Sequence, residues 1–224
     1  MSDVKLIGIT QPTIEGVKDA NDLVAYAARV SNPANQMNTE TAPKLVKYLI
    51  NNAHWSPLEM VSLTMEIKTT RDIARQILRH RSFSFQEFSQ RYAVADNFEF
   101  REARTQDNKN RQNSIVMGDD EKSRRLAEDF RMRQASLLAQ IQETYEWALN
   151  KGIAKEQARA ILPEGMTGST LYMAGTLRSW VHYIEIRTDK ATQLEHRSIA
   201  EQCKEVVLNS FPALTDYFNT KDEV

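Results

Sequence analysis

From Gln76 to Tyr92 the chain reads Q-I-L-R-H-R-S-F-S-F-Q-E-F-S-Q-R-Y. Three guanidiniums and an imidazole (Arg79, Arg81, Arg91 and His80) fall within thirteen residues. Arginine can hold a phosphate through two parallel N–H donors, a geometry that a lysine point charge does not offer. The hydroxyls of Ser82, Ser84, Ser89 and Tyr92 and the amides of Gln86 and Gln90 add the neutral donors and acceptors that a base or ribose needs. Phe83, Phe85 and Phe88 supply apolar anchors to hold the segment rigid. An isolated R-H-R reads as a basic helix end favoured by the macrodipole. The dense polar run behind this one, without balancing charges, points to an anion site. Farther on, Glu156 and Arg159 stand three residues apart, the spacing of a surface ion pair or of a site pair.

Other chemistry is thinly represented. With seven glycines, the chain has no G-x-G-x-x-G and no G-x-x-x-x-G-K-[ST], so a bound nucleotide must be held by side chains. The single cysteine, Cys203, follows Ile199 by four and precedes Val206 and Val207, which places it on an apolar helix stripe as a buried structural thiol. None of the four histidines makes H-x-x-x-H or H-E-x-x-H, and His182-x-x-Glu185 lacks a third nearby ligand, so no metal site is expected. A net charge of -1 disfavours a general nucleic-acid binder. No apolar run suits a membrane span and the N-terminus lacks a signal core, so a cytoplasmic protein free of membrane is expected.

These residues require elements to position them. Val4–Ile9 reads as a strand, residues 15–30 as a helix stopped by Asn32-Pro33, and Thr41–Asn51 as a second helix. Ser56-Pro57-Leu58-Glu59 has the pattern of a capping box opening a short helical turn. Val61, Leu63, Met65 and Ile67 alternate with polar residues, a half-buried strand. Thr70 can cap a helix through Ile73, Ala74, Ile77 and Leu78 that ends in Arg79-His80-Arg81. Residues 94–123 read as a polar loop with a short strand near Phe98–Phe100. A long helix then runs from Asp119/Asp120 to Asn150 on a stripe including Leu126, Phe130, Leu137, Leu138, Ile141, Tyr145 and Leu149. A short helix carries Glu156 and Arg159 and stops at Pro163; Thr167–Thr176 is a strand or turn; helices follow at about 177–187 and 192–210. The sum is one helix-rich α+β domain over residues 1–224 with a mixed or antiparallel sheet.

Arg79-His80-Arg81, seven residues and Ser89 make an R-H-R-x7-S pattern that resembles the signature of flavin-dependent thymidylate synthases. His54-x-Ser56-Pro57-x-Glu59, Arg159 leading to Leu162-Pro163, and Gly175-Thr176-Leu177-Arg178-Ser179-Trp180 with Arg187 resemble further elements of that family, over roughly residues 50–205. The resemblance implies reductive methylation of dUMP to dTMP with FAD, NADPH as reductant and 5,10-methylenetetrahydrofolate as carbon donor. It places Gln76, Ile77, Leu78, Arg79, Glu87, Phe88, Ser89, Gln90, Arg91, Arg159 and Arg187 at dUMP, with Arg91 and Arg159 on phosphate and Arg187 at the uracil edge. It places Ser56, Glu59, Arg79, His80, Arg81, Glu87, Thr176, Arg178 and His182 at FAD. Arg187, His80 and Ser89 are the implied catalytic set, and a homotetramer with shared sites is the implied assembly. Two other functions fit the same segment. One is a single-stranded nucleic-acid module using these arginines on phosphates and Phe83, Phe85 and Phe88 as stacking platforms. The other is a different nucleotide-modifying enzyme.

Overall fold

The computed structural model describes residues 2–222. In chain order the elements are β1 (Asp3–Ile9), α1 (Ala20–Ala28), α2 (Ala42–Asn51), β2 (Ser62–Thr70), α3 (Arg71–Ile77), β3 (Ser84–Glu87), β4 (Arg104–Gln106), β5 (Ser114–Val116), α4 (Glu121–Asn150), α5 (Lys155–Ala158), β6 (Gly168–Thr176), α6 (Leu177–Arg187), α7 (Leu194–Ser210) and α8 (Thr215–Asp222). The main sheet has the order β1-β2-β6-β3 and every pairing in it is antiparallel, which resolves the expected mixed or antiparallel sheet to the second form.

Strand periodicity decides which face is buried. Leu63, Met65 and Ile67 of β2 are fully buried and alternate with more exposed neighbours. On β6 they meet Gly175, Met173 and Leu171 in register, making an apolar row two strands wide. Ile73 and Ile77 of α3, Trp180 and Ile184 of α6, and Ile199, Cys203 and Val207 of α7 pack into the same core. Trp180 also donates from Nε1 to the Leu63 carbonyl at 3.2 Å, fixing α6 to the sheet. The opposite face remains partly open, with Tyr172 of β6 and Ile7 at the β1 bulge exposed.

Several local expectations change. The helix through Ile73 ends at Ile77, so Arg79-His80-Arg81 lies in turns beyond it and not at a helix end. Thr70 stands before that helix but does not cap it; its hydroxyl donates to Asp72 Oδ1 at 2.6 Å. Ser56–Met60 forms a 3-10 turn, but no capping box closes, because the Glu59 carboxylate pairs with Arg178 instead. Residues 94–123 contain the β4–β5 hairpin and a bridge from Phe98 to Thr167. The long helix runs to Asn150 as expected, but Leu126, Phe130 and Leu137 of its stripe are exposed, whereas Leu138 and Tyr145 are buried. Buried Gln134 docks the preceding loop: its amide accepts from the Arg101 N–H at 2.8 Å and donates to the Arg101 carbonyl at 2.9 Å.

Gly175 admits Phe83 to the core. A Cβ there would lie 2.4 Å from Phe83 Cδ1, so only glycine lets the ring pass under β6. Phe83 then sits edge-on to Trp180 with centroids 4.8 Å apart. This anchors the chain just before β3, the edge strand that carries Glu87.

Candidate active site

The last turn of α3 brings Gln76 to the surface of the core, and the chain reverses through backbone bonds from His80 N to Ile77 O and from Phe83 N to His80 O. The reversal aims the His80 ring inward, edge-on to Tyr183 at 4.9 Å between centroids. Its Nε2 accepts from Nε of Arg187, 2.9 Å away at the end of α6. Burial first, then the neighbouring Arg187 and His182, lower the His80 pKa to about 4. The imidazole is therefore neutral near pH 7, with its proton on Nδ1 because Nε2 is accepting. Arg187 is held by one nitrogen; its two terminal nitrogens have no partner among the described residues and remain available to a ligand.

A cleft of about 570 Å³ opens along the first turns of α6, lined by Trp55, Glu59, Ser82, Thr176, Arg178, Ser179, Val181, His182 and Glu185. Thr176 caps α6, and its hydroxyl donates to Ser179 Oγ at 3.2 Å; Ser179 in turn donates to the Ser82 carbonyl at 3.3 Å. Arg178 is ion-paired with Glu59 across the mouth. Of the residues expected at FAD, this cleft gathers Glu59, Thr176, Arg178 and His182. Ser56 lies exposed in the adjoining turn, and Arg79 and Arg81 are exposed with no side-chain partner among the described residues. The Arg178 guanidinium for a phosphate, the Ser82, Thr176 and Ser179 hydroxyls for a polyol and the Trp55 ring for a flat system form a donor set that fits a flavin dinucleotide.

The residues expected at dUMP fall into smaller groups. Glu87 is already saturated: Ser169 Oγ donates to it at 2.9 Å, Arg75 at 3.2 Å, and Arg71 lies 3.7 Å away. Its role in the chain alone is to hold β3 against β6 and α3. Arg91 pairs through Nε with Glu156 at 3.2 Å, so Glu156 is not the partner of Arg159 that their spacing offered. Arg159, in the turn after α5, has no side-chain partner among the described residues. Ser89 Oγ accepts from the Arg91 N–H at 3.4 Å, which bends the loop between them. Ile77 is buried in the core, Leu78 begins the turn after α3, and Phe88 is half-exposed with its N–H bonded to the Thr170 carbonyl. Gln90 is buried, and its Nε2 finds no partner among the described residues.

One set of residues escaped the reading of the sequence. Tyr183 Oη lies 3.1 Å from His196 Nε2, His196 Nδ1 lies 3.2 Å from Gln76 Oε1, and Gln76 Nε2 donates to Gln193 Oε1 at 2.8 Å. Gln193 donates to Glu195 at 2.9 Å, and Glu195 is ion-paired with Arg104 and lies 3.8 Å from Arg101. The signal was present in Gln193, Glu195 and His196 clustered at the start of α7, where a charged, solvated first turn is the default. Cys203 lies next to this set, fully buried, and burial pushes its thiol well above the ordinary range, which removes it as a nucleophile.

The described residues thus hold a neutral imidazole on a guanidinium, a cleft under the start of α6, and a thiol too deeply buried to react. The family model described as thymidylate synthase complementing protein matches residues 13–213. A probable flavin-dependent thymidylate synthase of Paramecium bursaria Chlorella virus 1 is 52% identical over 212 residues, covering 94% of this chain and 95% of its own. The flavin-dependent thymidylate synthase of Synechocystis sp. is 49% identical over 215 residues, covering 95% and 97%. The chain belongs to the flavin-dependent thymidylate synthase family. Its fold matches that of a UMP/dUMP methylase, PolB from Streptomyces cacaoi bound with 5-Br UMP, with a TM-score of 0.80 at 24% identity, over 99% of this chain and 95% of that one.

Proposed function

We propose that the protein converts dUMP, 5,10-methylenetetrahydrofolate and NADPH to dTMP, tetrahydrofolate and NADP+, with FAD in the Arg178 cleft. Bound flavin supplies the hydride that reduces the transferred one-carbon unit to a methyl group. The observation that carries the reading is the Arg187–His80 contact. His80 orients the guanidinium without neutralising it, which leaves a full positive charge free to polarise a pyrimidine carbonyl. A guanidinium on that carbonyl would stabilise the enolate form of the pyrimidine, fed by the N1 lone pair, in which C5 is the nucleophile, so no sulfur adduct at C6 is needed, and buried Cys203 is consistent with that. Arg91 and Arg159 are assigned to the phosphate, Ser89 and Gln76 to neutral contacts with the nucleotide, and Arg79, Arg81, Ser56, Glu59, Thr176 and His182 to the flavin with Arg178.

A homotetramer with shared sites is part of the proposal. The exposed Leu126, Phe130, Leu137 and Trp147 of α4 and the open sheet face at Ile7 and Tyr172 support it, since exposed apolar surface favours association. Among the described residues no helix is long and apolar enough to cross a membrane, and the proposed location is cytoplasmic. The test is product formation from labelled dUMP with FAD, NADPH and methylenetetrahydrofolate, read with flavin absorbance. Bleaching by NADPH, followed by recovery only when dUMP and the folate are both added, supports the reading. Recovery without dTMP overturns it.

A further inference from the structure

The bonds from Tyr183 to Glu195 form a chain whose direction is set at one end. Glu195 accepts only, because it is ionised: burial raises its pKa, but its own backbone N–H, Gln193, Arg104 and Arg101 outweigh this and leave it lowered. A carboxylate that can only accept makes Gln193 present its N–H to Glu195, and so its Oε1 to Gln76. Gln76 must then donate from Nε2 and turn Oε1 to His196, which in turn must donate from Nδ1. His196 Nε2 is left to accept from the Tyr183 hydroxyl. One charge thus fixes two amides and one tautomer, and no member can flip alone without facing donor to donor or acceptor to acceptor. Inside a protein, such a mismatch leaves both groups unsatisfied away from water and is strongly disfavoured.

We propose that this chain locks the Gln76 amide in the orientation that reads uracil and rejects cytosine, with Gln193, Glu195 and His196 as its positioning residues. The proposal rests on Gln76 contacting the nucleotide in the function proposed above. After its two internal bonds, Gln76 retains one N–H on Nε2 and one lone pair on Oε1. The base edge it meets must set an acceptor against Nε2 and a donor against Oε1. Uracil offers this with O4 and N3–H. Cytosine offers the reverse, an amino donor at C4 and an acceptor at N3, and would need the flipped amide that the chain forbids.

Two measurements test it. Nitrogen NMR of the full-length protein with labelled histidine should show His196 protonated at Nδ1 and bare at Nε2. A wild-type His196 protonated at Nε2 overturns the proposal whatever the enzyme does. Calorimetric titration with dUMP and dCMP should show that Glu195→Gln, which can both donate and accept, populates both His196 tautomers and narrows the preference for dUMP over dCMP about tenfold. Gln193→Met, which breaks the chain without adding charge, should narrow it likewise. An unchanged preference in either folded variant overturns the proposal. If wild-type protein binds neither nucleotide, the assignment of dUMP fails, while the tautomer result still tests the chain.

Discussion

Nε of Arg187 donates to Nε2 of His80 at 2.9 Å, and the same contact that orients the guanidinium denies the imidazole its second proton. The folded pKa is lowered to about 4 for His80 and, chiefly by burial, to about 3 for His196, from 6.5. In the unfolded chain both rings take up a proton as pH falls through about 6.5; in the folded protein they do so only near 4 and 3. The stabilising contribution of the neutral rings is full above 6.5 and declines as pH falls through that window. Unfolding at pH 5 should take up roughly one proton for each ring, measured by calorimetry in buffers of different ionisation enthalpy. His196→Asn should reduce the uptake by about one; an undiminished uptake in that variant would contradict the assignment.

Cys203→Ala should leave dTMP formation within about twofold of wild type, because a buried, neutral thiol does not start the carbon transfer. Its cost should appear in stability instead, about 1–2 kcal/mol for lost packing. Loss of turnover in a folded, flavin-loaded variant would return sulfur to the mechanism.

Gly175→Ala should destabilise by about 1–3 kcal/mol, because the new methyl group must displace Phe83 from beneath β6. Since Phe83 anchors the entry to β3 and follows Ser82, which lines the cleft proposed for flavin, flavin retention on gel filtration should fall with it. A variant as stable and as yellow as wild type would remove Phe83 from that role.

Gln134→Leu keeps the volume of the side chain but strands the N–H and carbonyl of Arg101, at a cost of about 2–3 kcal/mol. The loop before the β4–β5 hairpin should then become protease-sensitive, as limited digestion would show. An unaltered digestion pattern would mean that the loop is held by Arg101 and Asp72 alone.

Arg91→Ala and Arg187→Ala should each abolish turnover, by at least about 100-fold if charge stabilisation dominates. Mixed as subunits, the two inactive proteins should regain a measurable fraction of activity, because a site drawing Arg91 from one chain and Arg187 from another can be intact. Absence of recovery after confirmed subunit exchange would place both residues in one chain.

The sequence foretold elements with a strong period and missed contacts made across it. β2 was legible because Leu63, Met65 and Ile67 alternate cleanly, and α6 because its cap at Thr176 precedes an apolar run. The motif residues could be named from the sequence, but not their partners. Glu59 looked like a capping residue and turned to Arg178; Glu156 looked paired to Arg159 and reached Arg91. Long-range charge pairing depends on where chain reversals deliver a side chain, and local spacing carries none of that. His196 and Gln193 were invisible for the same reason: their partner Gln76 is supplied by a different helix. β3 went unseen because four residues are too few to establish alternation.

That short edge strand has an evolutionary corollary. Ser84 and Gln86 face outward while Phe85 and Glu87 face inward, opposite Met173 and Leu171. One inserted or deleted residue here would invert the set, expelling a phenyl ring and a carboxylate and burying a hydroxyl and an amide. A conservative letter change within the stretch keeps the alternation, whereas a change in its count does not. Drift among descendants of this chain should therefore accumulate insertions in the hairpin between β4 and β5, and none between Phe83 and Phe88.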